Sequence, residues 1–370
     1  MKKYGILSIQ RRVTQNQVTT FDNLYQLVGQ NTGNLLFTNA LWNQVAGDKV
    51  RVGFTFDPEQ LNETLDGLVI PAANWLSPHV DFTKLADLVE RLKIPTILVG
   101  LGAQDQSFSG AIDIPEGTQR FVRAVSERSA SISVRGEYTK TILDSLGITN
   151  VVVTGCPSLY HDFRPFDIPG RVKVRLEKGL LHSTRFSASH APFAQNKSIH
   201  REIFRLAYAN KIDLLIQSER EEMALLTASD SSSPFDERLR SLLLENYAAP
   251  NWATLESFIK SHCRLFFDVD LWSRALEQYD YVFGTRLHGT IMALNSGVPA
   301  FMIHHDSRTK ELCDFAGIPS ADAQTFRLNL NNIRRSIERA DFGSYYARRD
   351  INKMTYRTFL KTNGLPVNEF

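Results

Sequence analysis

Short apolar, β-branched runs recur along the chain, each followed by a longer segment of helical period, and this alternation is the pattern of parallel strands covered by helices. In the first half, Gly5–Ile9, Gly67–Ile70, Thr96–Val99, Ser131–Val134 and Asn150–Thr154 read as strands. Between them Phe82–Lys93 and Gly136–Gly147 read as amphipathic helices, the second ending on a glycine suited to a left-handed turn. The text then becomes FRPFDIPG at Phe163–Gly170, whose prolines and glycine mark a linker. Beyond it the alternation restarts, with strands at Gly179–His182, Ile212–Gln217, Leu265–Asp268, Tyr281–Gly284 and Ala300–Ile303 and a helix near Ser198–Ala209. Two open α/β units are therefore expected, residues 1–165 and 170–370. The length of 370 residues and a hydrophobic share of 43% suffice for two full cores.

With 42 Lys and Arg against 40 Asp and Glu, the net charge of +2 builds no extended positive field, which argues against nucleic acid as a partner. Cys156, Cys263 and Cys313 are odd in number and far apart, so neither a disulfide framework nor a metal cluster can be drawn. The N-terminal MKKYGILSIQRR has too short an apolar run for a signal peptide, and no stretch approaches the ~20 apolar residues of a membrane span. A cytoplasmic, soluble protein is expected. ASDSSSPFDE, Ala228–Glu237, reads as an exposed loop.

The stretch FGTRLHGTIMALNSGVPAF, Phe283–Phe301, places Arg286 and His288 between a buried strand and a short helix, Thr290–Asn295, that Gly297 and Pro299 bring to an end. Such a turn lies at the carboxyl end of its strand, where open parallel sheets bind ligands. Free N–H groups at the helix start favour an anion, Gly284 and Gly289 allow close approach, and Arg286 adds a permanently charged fork. His288 can move a proton near neutrality. The other reading pairs Arg286 with a nearby acid and leaves His288 to cap the helix.

Together with SVRGEYTKTILDSLG (Ser133–Gly147), VTGCPSLY (Val153–Tyr160), VGLGAQ (Val99–Gln104) and NTGNLL (Asn31–Leu36), this stretch resembles the polysaccharide pyruvyl transferase family over most of the chain. The resemblance implies two Rossmann-like domains whose parallel sheets face across a cleft, similar to GT-B glycosyltransferases, with the acceptor on the first domain and the donor on the second. It implies phosphoenolpyruvate as donor, a sugar of a surface polysaccharide or of its lipid-linked precursor as acceptor, and a cyclic ketal and phosphate as products. No cofactor or metal is called for.

The resemblance makes His288 the general acid and Arg286 a ligand of the donor, joined by Gly289 and by Arg185 at the end of the second domain's first strand. Arg135 matches a family arginine, although it could equally anchor the following helix through Glu137 or Asp144. Arg308 stands where relatives often carry lysine; its alternative is a solvated helix arginine. Gly33 and Asn34 precede the helix Leu35–Val45 and could present N–H groups and an amide, while Gln104 ends a buried strand at the cleft. VGLGAQ lacks the third glycine of a dinucleotide fingerprint, which removes NAD and FAD.

Cys156 lies where other branches place an Asp-Pro-Ala-like piece, and with no partner histidine identifiable it reads as structural. Adjacent His304 and His305 point to opposite sides of an extended chain, which argues against joint chelation. The basic, apolar stretch Ala347–Lys361 reads as a helix packing back on the first domain; the other reading touches an anionic membrane surface. Two further functions fit the same pattern: a glycosyltransferase using a nucleotide sugar, and a non-catalytic anion-binding protein of a glycan-assembly complex.

Overall fold

A computed structural model describes residues 2–14, 17–104, 112–164, 172–184, 198–228 and 235–370. Most of the expected linker, and most of the loop Ala228–Glu237, lie outside the described residues.

In the first half the strands are β1 (Lys3–Leu7), β2 (Asp48–Val52), β3 (Gly67–Pro71), β4 (Thr96–Val99), β5 (Ile132–Val134) and β6 (Val151–Val153). The parallel sheet has the order β2-β1-β3-β4. Gly100 then turns the chain in the left-handed region at φ +74°, and Leu101 bridges to Val134, so the parallel pair β5-β6 continues the sheet. Side chains alternate between two cores, as a period of two requires: Tyr4, Ile6 and Val69 on one face, Leu7, Leu68 and Ile70 on the other.

The second half supplies β7 (Gly179–His182), β8 (Asp213–Leu215), β9 (Cys263–Arg264), β10 (Tyr281–Gly284), β11 (Ala300–His304) and β12 (Ser320–Asp322). They form a parallel sheet of order β12-β11-β10-β7-β8-β9. The chain starts at β7, fills one side, and then crosses to β10 on the other. The strand order therefore reverses between β7 and β10, where a doubly wound sheet opens its ligand crevice.

The fold is thus α/β, with parallel sheets of Rossmann-like order in a GT-B-like arrangement. One continuous core joins the halves, running from β1 and the helix Asn34–Gln44 through Leu159 and Tyr160 to the second sheet. The last helix, Phe342–Thr362, lies across this seam. Its Tyr356 ring stacks on Tyr160 at 4.9 Å, and the side chain of Asn363, the residue that caps its C-terminus, accepts from the Ser131 N–H at 3.3 Å. Arg349, fully buried, donates to the Leu159 carbonyl and to Asp162. Ile351 and Met354 remain exposed on its outer side. No helix among the described residues is long and apolar enough to cross a membrane.

The structure departs from the sequence reading at the edges. The strands β2 and β12 were not anticipated, because DKVRV is mostly exposed and SAD holds no β-branched residue. The expected strand Leu265–Asp268 is displaced to Cys263–Arg264, since Asp268 instead caps the helix Val269–Ala275. The helix expected from Thr290 starts at Leu287, which moves His288 into its first turn.

The hydroxyl of Tyr356 donates to Gln44 Oε1 at 2.8 Å where both residues are buried, linking the last helix to the first domain. Tyr356→Phe should lower stability by about 1–2 kcal/mol, because Gln44 keeps a buried acceptor without a donor; an unchanged thermal midpoint contradicts this.

Candidate functional site

The carboxyl ends of β7, β8 and β10 meet the first domain at one place. Arg286 is the N-cap of the helix Leu287–Asn295 and His288 lies in that helix's first turn. The backbone N–H of Arg286 donates to His182 Nδ1 at 2.9 Å, so the proton of this buried imidazole sits on Nε2, facing Thr290 Oγ1. The turn is thereby fixed to the neighbouring strand.

The guanidinium of Arg286 donates to the Ser183 carbonyl at 2.9 Å, to the Ser218 hydroxyl and to Glu219, whose carboxylate is fully buried. Glu219 also accepts the N–H groups of Gln217 and Ser218. Sequence reasoning missed this acid as a partner. The signal was present in QSE (Gln217–Glu219), at the end of an expected strand, but its relevance depends on β8 lying beside β7.

Arg135 is 1% exposed. Its Nε donates to the Gly100 carbonyl at 2.9 Å, its Nη1 to Asn74 Oδ1 at 2.8 Å and its Nη2 to the Ala72 carbonyl at 3.3 Å. It anchors neither Glu137 nor Asp144; Asp144 pairs with Lys140, and the start of that helix is held by Glu311, which accepts from Thr139 Oγ1 at 2.6 Å and from its N–H at 3.1 Å. No carboxylate among the described residues forms an ion pair with Arg135. A methyl group at Gly102 would stand 2.9 Å from Arg135 Cδ, so a glycine of VGLGAQ makes room for this side chain.

Arg308 turns inward from the start of the helix Ser307–Ala316, pairs with Asp306 at 3.1 Å, and leaves its buried Nε without a partner among the described residues. Burial, and after it the charges of Arg135, Arg308 and Arg286, pushes the pKa of His288 down to about 3. The imidazole is neutral in the free protein. It keeps part of its surface open, lies against Phe37 with ring centroids 5.4 Å apart, and holds Nε2 3.8 Å from Cys156 Sγ. Cys156 therefore has the histidine neighbour that the sequence did not reveal. Its sulfur accepts from Ser158 Oγ at 3.0 Å.

Gly33 faces this group from the first domain, a methyl there standing 3.1 Å from His288 Cβ, and Gly289 packs against His182. Asn34 turns away, its amide nitrogen donating to the carbonyls of Val28 and Gly29. Gln104 has its backbone N–H on the Leu76 carbonyl, and among the described residues no hydrogen bond joins it to His288. Arg185 lies outside the described residues. His304 and His305 diverge, the first towards Asp322 and the second onto the His200 ring at 4.6 Å. Among the described residues no group of three or more His, Cys, Asp and Glu is placed to hold a metal ion. The arrangement can hold an anion against several arginines and present it to an imidazole.

Residues 31–307 match the family described as polysaccharide pyruvyl transferase. A similar curated protein is the amylovoran biosynthesis protein AmsJ of Erwinia amylovora, 23% identical over 213 residues, 54% of this chain. The match spans about half of that protein, 49% of its length. Similar solved structures include UDP-N-acetylglucosamine 2-epimerase from Rickettsia bellii, with a TM-score of 0.47 and 12% identity over 98% of this chain and 95% of that one. The UDP-GlcNAc 2-epimerase of Neisseria meningitidis bound to UDP-GlcNAc gives a TM-score of 0.44 and 12% identity over 98% and 100%.

Burial holds five histidines neutral: His182, His200 and His288 at about 3, His161 and His305 at about 4, against an ordinary 6.5. Below pH 6.5 the unfolded chain binds more protons than the folded one, so stability present above 6.5 is lost as pH falls. Glu311, raised by burial from 4.5 to about 7, acts oppositely between those values. With these five groups, and His304 lowered by burial in the same direction, against one, the thermal midpoint should rise from about pH 4.5 to 6.5; a midpoint that falls across that window contradicts the assignment.

Proposed function

The chain belongs to the polysaccharide pyruvyl transferase family, and on that footing we propose that it transfers the three-carbon unit of phosphoenolpyruvate to two hydroxyls of a sugar, forming a cyclic ketal and releasing phosphate. The observation that carries this reading is Arg135, a buried cation with no carboxylate partner among the described residues, grouped with Arg286 and Arg308 around a neutral histidine. A donor bearing both phosphate and carboxylate supplies the anion that Arg135 lacks and a second charge for the arginines beside it.

In the proposed reaction the donor's charge neutralises the arginines, and His288 then binds a proton more readily. His288 delivers that proton to the terminal enol carbon, which becomes a methyl group and leaves an oxocarbenium-like centre beside it. The first sugar hydroxyl attacks this centre and returns its proton to the imidazole. Phosphate leaves, the second hydroxyl closes the ring, and its proton departs with phosphate. General acid catalysis of this kind contributes about 10² to 10⁴-fold.

Arg185 is proposed as a further ligand of the donor. Arginines neutralise the donor in this scheme, which calls for no metal or cofactor. The acceptor is a glycan of a bacterial-type surface polysaccharide or its lipid-linked precursor, reached at the cytoplasmic face of the membrane. AmsJ is described as an amylovoran biosynthesis protein, which supports a polysaccharide acceptor.

Incubation with phosphoenolpyruvate and a panel of surface glycans and lipid-linked precursors should give, by mass spectrometry, a pyruvate ketal on one of them. Phosphate release should require both substrates. His288→Ala should lose roughly 100-fold or more of this turnover while still unfolding cooperatively. A variant with normal turnover removes His288 as the acid. A thermal shift with UDP or GDP but none with phosphoenolpyruvate points instead to a nucleotide-sugar transferase.

A further inference from the structure

The side chain of Gln217 lies at the centre of the junction with both ends of its amide idle. The residue follows β8 and is 1% exposed. Its backbone is committed: the N–H donates to Glu219 Oε2 at 2.9 Å, and the carbonyl accepts from the Thr32 N–H of the first domain at 2.9 Å. Among the described residues Oε1 is buried without a hydrogen-bond partner, and Nε2 forms no hydrogen bond there either. Buried side-chain amides are ordinarily bonded, so an idle one in a crevice marks a place where a ligand arrives.

Two glycines make room for it. A methyl at Gly33, the N-cap of the helix Asn34–Gln44, would stand 2.6 Å from Gln217 Nε2 and 3.1 Å from His288 Cβ. A methyl at Gly289, in the first turn of the helix that carries His288, would stand 3.3 Å from Gln217 Oε1. The amide therefore sits between the starts of two helices, one from each half of the chain, with Gly33 packed against both it and the Cβ of His288.

Chemistry separates the candidate ligands. Oε1 is an acceptor and requires a donor; a phosphate dianion or a carboxylate has none, and the arginines already address those groups. A hydroxyl serves both ends, giving its hydrogen to Oε1 and accepting from Nε2. We propose that Gln217 binds a hydroxyl of the acceptor sugar and holds it beside His288. This inference rests on the pyruvyl-transfer reading above.

The test compares wild type with Gln217→Met, which keeps the length of the side chain and removes its hydrogen bonds. Without ligand, the thermal midpoint of the variant should equal or exceed that of wild type, because no internal bond is lost. The thermal shift produced by phosphoenolpyruvate should be unchanged. On the glycan identified by mass spectrometry, KM for the acceptor should rise roughly tenfold or more, the loss of one well-placed hydrogen-bonding group. A clear fall in the ligand-free midpoint would mean that the amide serves the fold, through a buried water for example, and would overturn the proposal. Loss of the phosphoenolpyruvate shift would assign Gln217 to the donor and overturn it equally. These two readings need no acceptor, so they decide on Gln217 separately from the failure of pyruvyl transfer itself, which would show as wild type making no ketal.

Discussion

Arg135 is a buried guanidinium that forms no ion pair with a carboxylate among the described residues, and much of the first domain's local geometry follows from accommodating it. A buried cation is tolerable only where oxygen atoms take its N–H groups. Here those oxygens come from Ala72, Asn74 and Gly100, just beyond the carboxyl ends of β3 and β4. The left-handed turn at Gly100 places one of the carbonyls, and the missing side chain at Gly102 leaves the space that Arg135 occupies. The glycines that look at first like a nucleotide fingerprint therefore serve an arginine. Neutral oxygens satisfy its hydrogen bonds without cancelling its charge, and that charge adds to burial in holding His288 neutral.

The second domain answers with a different device. Arg286 is locked by Glu219 and by the Ser183 carbonyl, at the point where the strand order reverses between β7 and β10. Its charge is paired and its position fixed, so it orients while Arg135 supplies net attraction. Cys156 and Phe37 complete the surroundings of the imidazole from the first half of the chain. In the proposed reaction the acid is idle until the donor's own anions offset the arginines, which keeps the proton from being spent before the substrate is seated.

Much of this was legible in the sequence. The central strands read correctly because they are buried on both faces and carry continuous apolar runs; β10 matches its expected span, and β4 does too. Edge strands such as β2 escaped because exposure on the sheet rim removes that signal. Arg286 and His288 stood out as polar residues in an apolar turn. Sequence could not choose between Arg286 as an anion ligand and Arg286 as the partner of an acid, since Glu219 lies 67 positions away and is brought close only by the order of the sheet. Cys156 and His288, 132 positions apart, meet for the same reason. The idle amide of Gln217 was invisible, because an unmade bond leaves no trace in composition or period.

The central claim, that an arriving anion arms His288, is tested most directly by counting protons as the donor binds. Calorimetric titration of phosphoenolpyruvate into the protein, repeated near pH 7 in buffers of different ionisation enthalpy, reports proton uptake from the slope of observed heat against that enthalpy. The account predicts net proton uptake for wild type, abolished in His288→Gln. Binding with no proton uptake, or uptake that survives the substitution, would contradict it.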